Sequence, residues 1–174
     1  MVEIRNLQES DIQPIAAAFA ELGWDKPPAQ YRRYFNEQQA GLRVVLVSTL
    51  AGIFAGYVTI VWASGYAPFL EERIPEIVDF NVLPVFRRQG IGTLLLDEAE
   101  RHIAERSAIA GIGVGLTPDY GAAQIMYVQR GYIPDGRGLT WGDKRCQHGD
   151  RVIVDDGLAL YFTKTLEQTR CKHG

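Results

Sequence analysis

The chain has 174 residues, with 18 Lys and Arg against 21 Asp and Glu for a net charge of −3, and it is 47% hydrophobic and 22% charged. That mixture excludes disordered and fibrous classes, and at this length a single domain, residues 1–174, buries enough surface to stand without staples. The acidic balance gives no basic face to a nucleic acid, so a cationic small molecule is the better-matched partner.

Val2 and Ile4 alternate with Glu3 and Arg5 as in a strand, and Ser10 precedes an Ala-rich helical run through Leu22 that ends at Gly23. Pro27 and Pro28 restart the chain, and Tyr31, Tyr34, Phe35 and Gln38 at spacings of three or four predict a second short helix closing at Gly41. Residues 42–50 and 53–62 read as two strands of a hairpin turning at Ala51 and Gly52. Residues 63–75 read as a loop, and residues 77–82 as a strand stopped by Pro84.

Ile91, Leu95, Ala99 and Ile103 at i+4 spacing predict a long helix over 90–106. A short strand over 112–116 follows, then a helix over 121–130 with Ala122, Ile125 and Met126 inward and Gly131 just past its end. Residues 132–157 are rich in Gly and Asp and predict an irregular hairpin excursion, before a closing strand over 158–163. The order β-α-α-β-β-β-α-β-α-β gives a mixed α+β domain with about four helices.

Cys146 and Cys171 form no Cys-x-x-Cys and no cluster with His102, His148 or His173 at metal-ligand spacing, so no metal and no disulfide framework is expected. The N-terminus carries no basic stretch leading into an apolar run, and no segment has the length of a membrane span. A cytoplasmic protein without a membrane partner is the expectation.

The chemistry concentrates in Val82-Leu83-Pro84-Val85-Phe86-Arg87-Arg88-Gln89-Gly90-Ile91-Gly92, where a strand gives way to a helix. Backbone N–H groups that converge ahead of a helix N-terminus bind phosphate oxygens, and Gly90 and Gly92 permit close approach while Arg87 and Arg88 add charged donors. A Walker loop would need Lys after its glycine, where Thr93 follows Gly92, and a dinucleotide fingerprint would need a third glycine where Leu95 stands.

A second motif, Tyr120-Gly-Ala-Ala-Gln-Ile-Met-Tyr127-Val-Gln-Arg-Gly131-Tyr132, lies about thirty residues downstream of the first. With both in place the chain resembles the GNAT superfamily of acetyl-CoA-dependent N-acetyltransferases, whose motifs run V-h-P-x-x-R-x-x-G-x-G and N-x-A-A-x-x-h-Y-x-x-x-G-F. Residues 82–92 match the first at every defining position; in the second, Tyr120 replaces the usual Asn and Tyr132 the usual Phe. The resemblance is specific over about residues 76–132.

It implies a central mixed, mostly antiparallel sheet that splays between the strand of Val82 and the strand over 112–116, with acetyl-CoA as cosubstrate in the gap. It also implies Val82, Leu83, Pro84, Arg87, Arg88, Gln89, Gly90, Ile91, Gly92, Thr93, Tyr120 and Ala123 as cofactor-binding residues. The pyrophosphate is expected on the amides of 88–93 and the thioester carbonyl on the N–H of Val82 or Leu83.

Transfer to an amine needs a base, because an alkylamine is protonated at neutral pH. Glu76 lies eleven residues before Arg87, the spacing the histone-acetylating branch of the superfamily uses for its base, and Asp79 on the opposite strand face is the alternative. Tyr127 is the candidate acid for the leaving thiolate. Trp24, Tyr31 and Trp62 are candidates for the wall of an acceptor pocket for a small amine or peptide, and the reading leaves room for a homodimer. The rival readings are a non-catalytic acyl-CoA-binding module and transfer of another acyl group.

Overall fold

The structure is a computed structural model that describes residues 1–167; Cys171 and His173 lie outside them. Its elements run β1 (Val2–Asn6), α1 (Ile12–Glu21), α2 (Pro28–Gln39), β2 (Arg43–Leu50), β3 (Ile53–Val61), α3 (Ala67–Glu72), β4 (Glu76–Val82), α4 (Ile91–Ala104), β5 (Ile109–Gly115), α5 (Gly121–Gln129), β6 (Ile133–Trp141), β7 (Lys144–Arg145) and β8 (Leu158–Thr165). The class is mixed α/β with mostly antiparallel strands, as expected, with five α-helices rather than four.

The chain forms two compact units, residues 1–62 with 77–102, and residues 63–76 with 103 onward. In the first, the strand order is β1-β2-β3-β4. The β2–β3 hairpin pairs Val45 with Thr59 and Val47 with Tyr57. It turns through Ala51 at φ 51° and Gly52 at φ 80°, the two left-handed residues whose twist suits adjacent antiparallel strands.

Helix α1 buries Ile12, Ile15, Ala16 and Phe19, a stripe at helical spacing, while α2 begins at Pro28 and buries Tyr31 and Tyr34. These side chains share one cluster with Val45, Val47 and Tyr57. Phe19 sits among the rings of Trp24, Tyr57 and Phe54 at 5.6, 5.8 and 5.9 Å between centroids. Truncating such a fully buried Phe to Ala costs about 3–5 kcal/mol.

The second unit orders its strands β5-β8-β6-β7. Strand β5 is bonded antiparallel to β8, with Ile112 opposite Phe162. Its glycines at alternate positions each leave room for a ring: a Cβ would meet Phe69 at 2.3 Å from Gly111, Tyr161 at 2.8 Å from Gly113 and Tyr120 at 2.4 Å from Gly115. Period two puts all three on one face, so β5 gives up side chains there and the aromatic residues supply the packing.

Three sequence expectations change. The segment 63–75 is not all loop, because α3 occupies Ala67–Glu72 and ends on Arg73 in the left-handed region at φ 55°. The excursion over 132–157 contains the nine-residue strand β6. Pro134 and the left-handed Gly136 and Gly138 hide its alternation, and its register against β8 slips between Pro134 and Leu139. In α5 the buried residue is Tyr127, whereas Ala122 and Ile125 are exposed, because the helix turns its motif tyrosine inward.

Candidate active site

Within the first unit, β4 leads into a 3-10 turn over Pro84–Phe86 and then into α4. The end of β4 lies very close to β3, since a Cβ on Gly56 would fall 2.5 Å from the Asn81 carbonyl oxygen. The Leu83 N–H donates to the Ala55 carbonyl at 2.9 Å. This corrects the expectation that Leu83 offers its N–H to an oxyanion: that donor is already used inside the fold.

Past the turn, Arg88 at φ 62° and Gly90 at φ 80° are left-handed. The Gly90 carbonyl accepts the Leu94 N–H at 3.1 Å, the first i→i+4 bond of α4. Gly90 is therefore the N-cap, and the N–H groups of Ile91, Gly92 and Thr93 form the first turn, which has no intrahelical acceptors. That turn carries no acidic residue, and a Cβ on Gly90 would find nothing within 4 Å. Open space, helix-terminal amides and two exposed arginines are the features of an anion cradle.

Arg87 also braces the loop, its Nε donating to the Val82 carbonyl at 3.0 Å and its guanidinium lying 6.0 Å from the Trp24 ring. Gln89 donates from its side chain to the Val85 carbonyl at 3.2 Å. The loop that presents the amides is thus held by its own side chains.

Asp79, also in this unit, sits at φ 49°, which breaks the strict alternation of β4 on which its opposite-face placement relied. Five side chains donate to its carboxylate. Lys26 Nζ and Asn81 Nδ2 reach Oδ1 at 2.7 and 2.8 Å, and Gln30 Nε2 and Tyr34 OH reach Oδ2 at 3.0 and 2.9 Å. The Tyr57 hydroxyl also donates to Oδ2. A carboxylate has about four lone-pair sites, so this one is fully subscribed. Lys26 further donates to the Tyr57 hydroxyl at 3.0 Å and lies 5.6 Å from the Phe19 ring centroid. Burial, with Asp79 nearby, pushes the Tyr34 phenol up to about 12.

Glu76 belongs to the second unit and is held differently. It is 7% exposed, the Ser64 hydroxyl donates to its Oε2, and among the described residues no cation pairs with it. Burial raises its carboxyl above the usual range, and the Ser64 hydrogen bond offsets this only in part.

Tyr127 in the same unit is 5% exposed, with its ring 6.1 Å from that of Tyr132. Desolvation, and then Tyr120, keep its phenol well above its ordinary value, hence protonated throughout the neutral range. Tyr120 packs its ring on Gly115 and donates its hydroxyl to Asp156 at 3.0 Å. Ala123 is half-buried on α5.

The proposed acceptor residues have separate settings. Tyr31 is 1% exposed inside the core, its hydroxyl 3.5 Å from that of Tyr57; Trp24 is half-buried and stacked on Phe19; Trp62 is half-buried just after β3. Sequence reasoning missed Ser64, Lys26, Gln30 and Tyr57. Only Asn81, two residues from Asp79, was within reach of a local pattern. Among the described residues no group of three or more His, Cys, Asp or Glu could hold a metal, and no helix is long and apolar enough to cross a membrane.

Residues 7–132 match the family model described as the acetyltransferase (GNAT) family. No curated protein matches the chain by sequence. Among solved structures, the chain is similar to an N-acetyltransferase from Staphylococcus aureus Mu50, at 15% identity and TM-score 0.71, covering 96% of this chain and 99% of that one. It is also similar to yncA from Salmonella typhimurium, whose structure holds its cofactor acetyl-CoA, at 15% identity and TM-score 0.68, covering 97% and 96%. The ribosomal-protein-S18-alanine N-acetyltransferase from Escherichia coli aligns at 15% identity and TM-score 0.66, covering 95% and 94%.

Proposed function

The chain belongs to the acetyltransferase (GNAT) family, and from that premise we propose that it transfers an acetyl group from acetyl-CoA to a primary amine of a small molecule or peptide. The observation that carries the cosubstrate is the start of α4, where Gly90 caps the helix with open space at its Cβ position and the amides of Ile91, Gly92 and Thr93 form the first turn, without intrahelical acceptors. Those amides would hold the pyrophosphate, with Arg87 and Arg88 adding positive charge. Acetyl-CoA supplies the thioester to be attacked.

Glu76 is the residue we assign as base. Burial raises the Glu76 carboxyl above the usual range and among the described residues no cation pairs with it, whereas the lone pairs of Asp79 are already taken by five donors. Asp79 is assigned instead to holding Lys26, Gln30, Tyr34 and Tyr57 together. For the carbonyl oxyanion, Val82 is retained as the backbone donor, since Leu83 is committed to Ala55.

Tyr127 is assigned to the departing sulfur as a hydrogen-bond donor. Its raised phenol makes full proton transfer to a thiolate uphill, so a strong hydrogen bond, followed by protonation from solvent, is the form its help would take. The ammonium gives one proton to Glu76 to free its lone pair, a second leaves the nitrogen as the C–N bond forms and the C–S bond breaks, and the departing thiolate gains one, so one proton is released to solvent per turnover.

The test is thiol release from acetyl-CoA across a panel of alkylamines, polyamines, amino acids and short peptides, with acetyl-CoA binding measured alongside. Amine-dependent release by the native protein, lost in Glu76→Gln, supports the reading. Binding without release for any amine would reduce the protein to an acyl-CoA-binding module.

A further inference from the structure

Glu76 is nearly enclosed, and among the described residues its side-chain hydrogen-bond partner is Ser64, which has no part in the acetyl transfer proposed above. Ser64 is 4% exposed and lies twelve residues earlier, in the stretch that leads into α3. Its oxygen accepts the main-chain N–H of Tyr66 at 2.9 Å, while its hydroxyl donates to Glu76 Oε2. A hydroxyl rotates freely unless its oxygen is claimed; here the Tyr66 amide claims a lone pair and directs the single proton toward the carboxylate.

We propose that Ser64 is a positioning residue for Glu76, holding the carboxylate in its ionised form and in a fixed orientation through one amide-oriented hydroxyl. The inference rests on reading Glu76 as the base only for its catalytic consequence, because the hold itself belongs to the free protein. A buried carboxylate without a cation depends on neutral donors for its charged state, and a hydrogen bond to a charged group is worth more than one between neutral groups.

The other titratable groups around it do not substitute for Ser64. Tyr161 on β8 has its phenol pushed up to about 12 by burial, with Glu76 and Asp135 adding to the effect. Tyr66 stacks on Tyr161 with ring centroids 3.7 Å apart and donates its hydroxyl to Asp135 on β6 at 2.8 Å. Arg137, the cation of this group, lies 3.6 Å from Asp135 and pairs with Glu72. Its charge is therefore spent on two other carboxylates.

The experiment follows the Glu76 carboxyl resonance in protein carrying 13C-labelled glutamate, assigned by its loss in Glu76→Gln, as a function of pH. It compares the native chain with Ser64→Ala, Ser64→Cys and Ser64→Thr. In Ser64→Ala the ionised-to-neutral ratio at the native midpoint should fall about tenfold, the size of one hydrogen bond to a charged group. Ser64→Cys, with a weaker donor, should move it the same way, and Ser64→Thr should stay within about twofold of native.

A midpoint unmoved in Ser64→Ala and Ser64→Cys, or a Ser64→Thr that behaves like Ser64→Ala, overturns the proposal. The acid limb of kcat against pH, measured with an amine that gives turnover, separates the two readings. If the resonance moves and the limb follows, both stand; if the resonance moves and the limb does not, Ser64 still holds Glu76 but Glu76 is not the base.

Discussion

Asp79 and Glu76 stand three positions apart in sequence, and their partners give them opposite characters. Five donors on Asp79 fix it as a hub, so Asp79→Asn should leave the Lys26 ammonium uncompensated and destabilise the protein by about 2–3 kcal/mol, read in denaturant unfolding. Glu76→Gln should lower turnover at neutral pH, with partial recovery at high pH where more of the amine is already neutral. The raised Glu76 carboxyl also contributes to the pH dependence of stability. Its stabilising part is present below the ordinary carboxylate range and is lost as pH rises through the raised value, because above it the folded state must hold a buried charge. Glu76→Gln should therefore flatten the fall in melting temperature over that window, and an unchanged slope would count against a buried, raised carboxyl.

The same scale separates the two readings of Tyr127. Tyr127→Phe removes a hydroxyl and keeps the ring contact with Tyr132, so packing should survive. A donor needed mainly by the departing sulfur should show itself in kcat with little change in acetyl-CoA affinity. A turnover loss under about threefold, roughly 0.7 kcal/mol, together with a lowered melting temperature, would return Tyr127 to the core.

At the scale of the element, the passage from β4 to α4 depends on backbone conformation more than on side chains. Gly90→Val places a β-branched residue at φ 80° with its side chain in the space beside the helix amides. The conformational cost is about 1–2 kcal/mol, and acetyl-CoA binding should be largely lost while the fold remains. Native-like affinity by calorimetry in a folded Gly90→Val would remove the cradle from α4. Strand β5 is a different case, because its glycines answer bulky neighbours rather than a turn. Gly111→Ala would put a methyl 2.3 Å from the Phe69 ring and should destabilise by about 1–3 kcal/mol without a specific effect on binding.

At the scale of the whole molecule, ligand binding and stability are linked. Acetyl-CoA at about a hundred times its dissociation constant should stabilise the folded state by about 2.7 kcal/mol, a rise of roughly 5–10 °C in melting temperature for a chain of this size. The rise should shrink as salt is added, because Arg87 and Arg88 are exposed and their attraction for phosphate is screened. A salt-independent shift would place the binding energy elsewhere than on those two side chains.

The sequence by itself determined the parts whose physics is local. The i+4 stripe of α4, the hairpin between β2 and β3, and the glycine-arginine turn ahead of a helix are each written in neighbouring residues, because periodicity and φ preference act within a few positions. Only the tertiary structure decided what holds each carboxylate. Lys26 and Gln30 reach Asp79 across 53 and 49 residues, and Ser64 reaches Glu76 from the far side of α3, a helix hidden in what reads as a loop. Likewise β6, broken by Pro134, Gly136 and Gly138, is a strand because β8 offers it main-chain partners, not because its side chains alternate. Hydrogen bonds between distant segments leave no period in the chain, so the residue types that can do the chemistry are legible in sequence, while the charge state and freedom of each depend on neighbours that folding brings in.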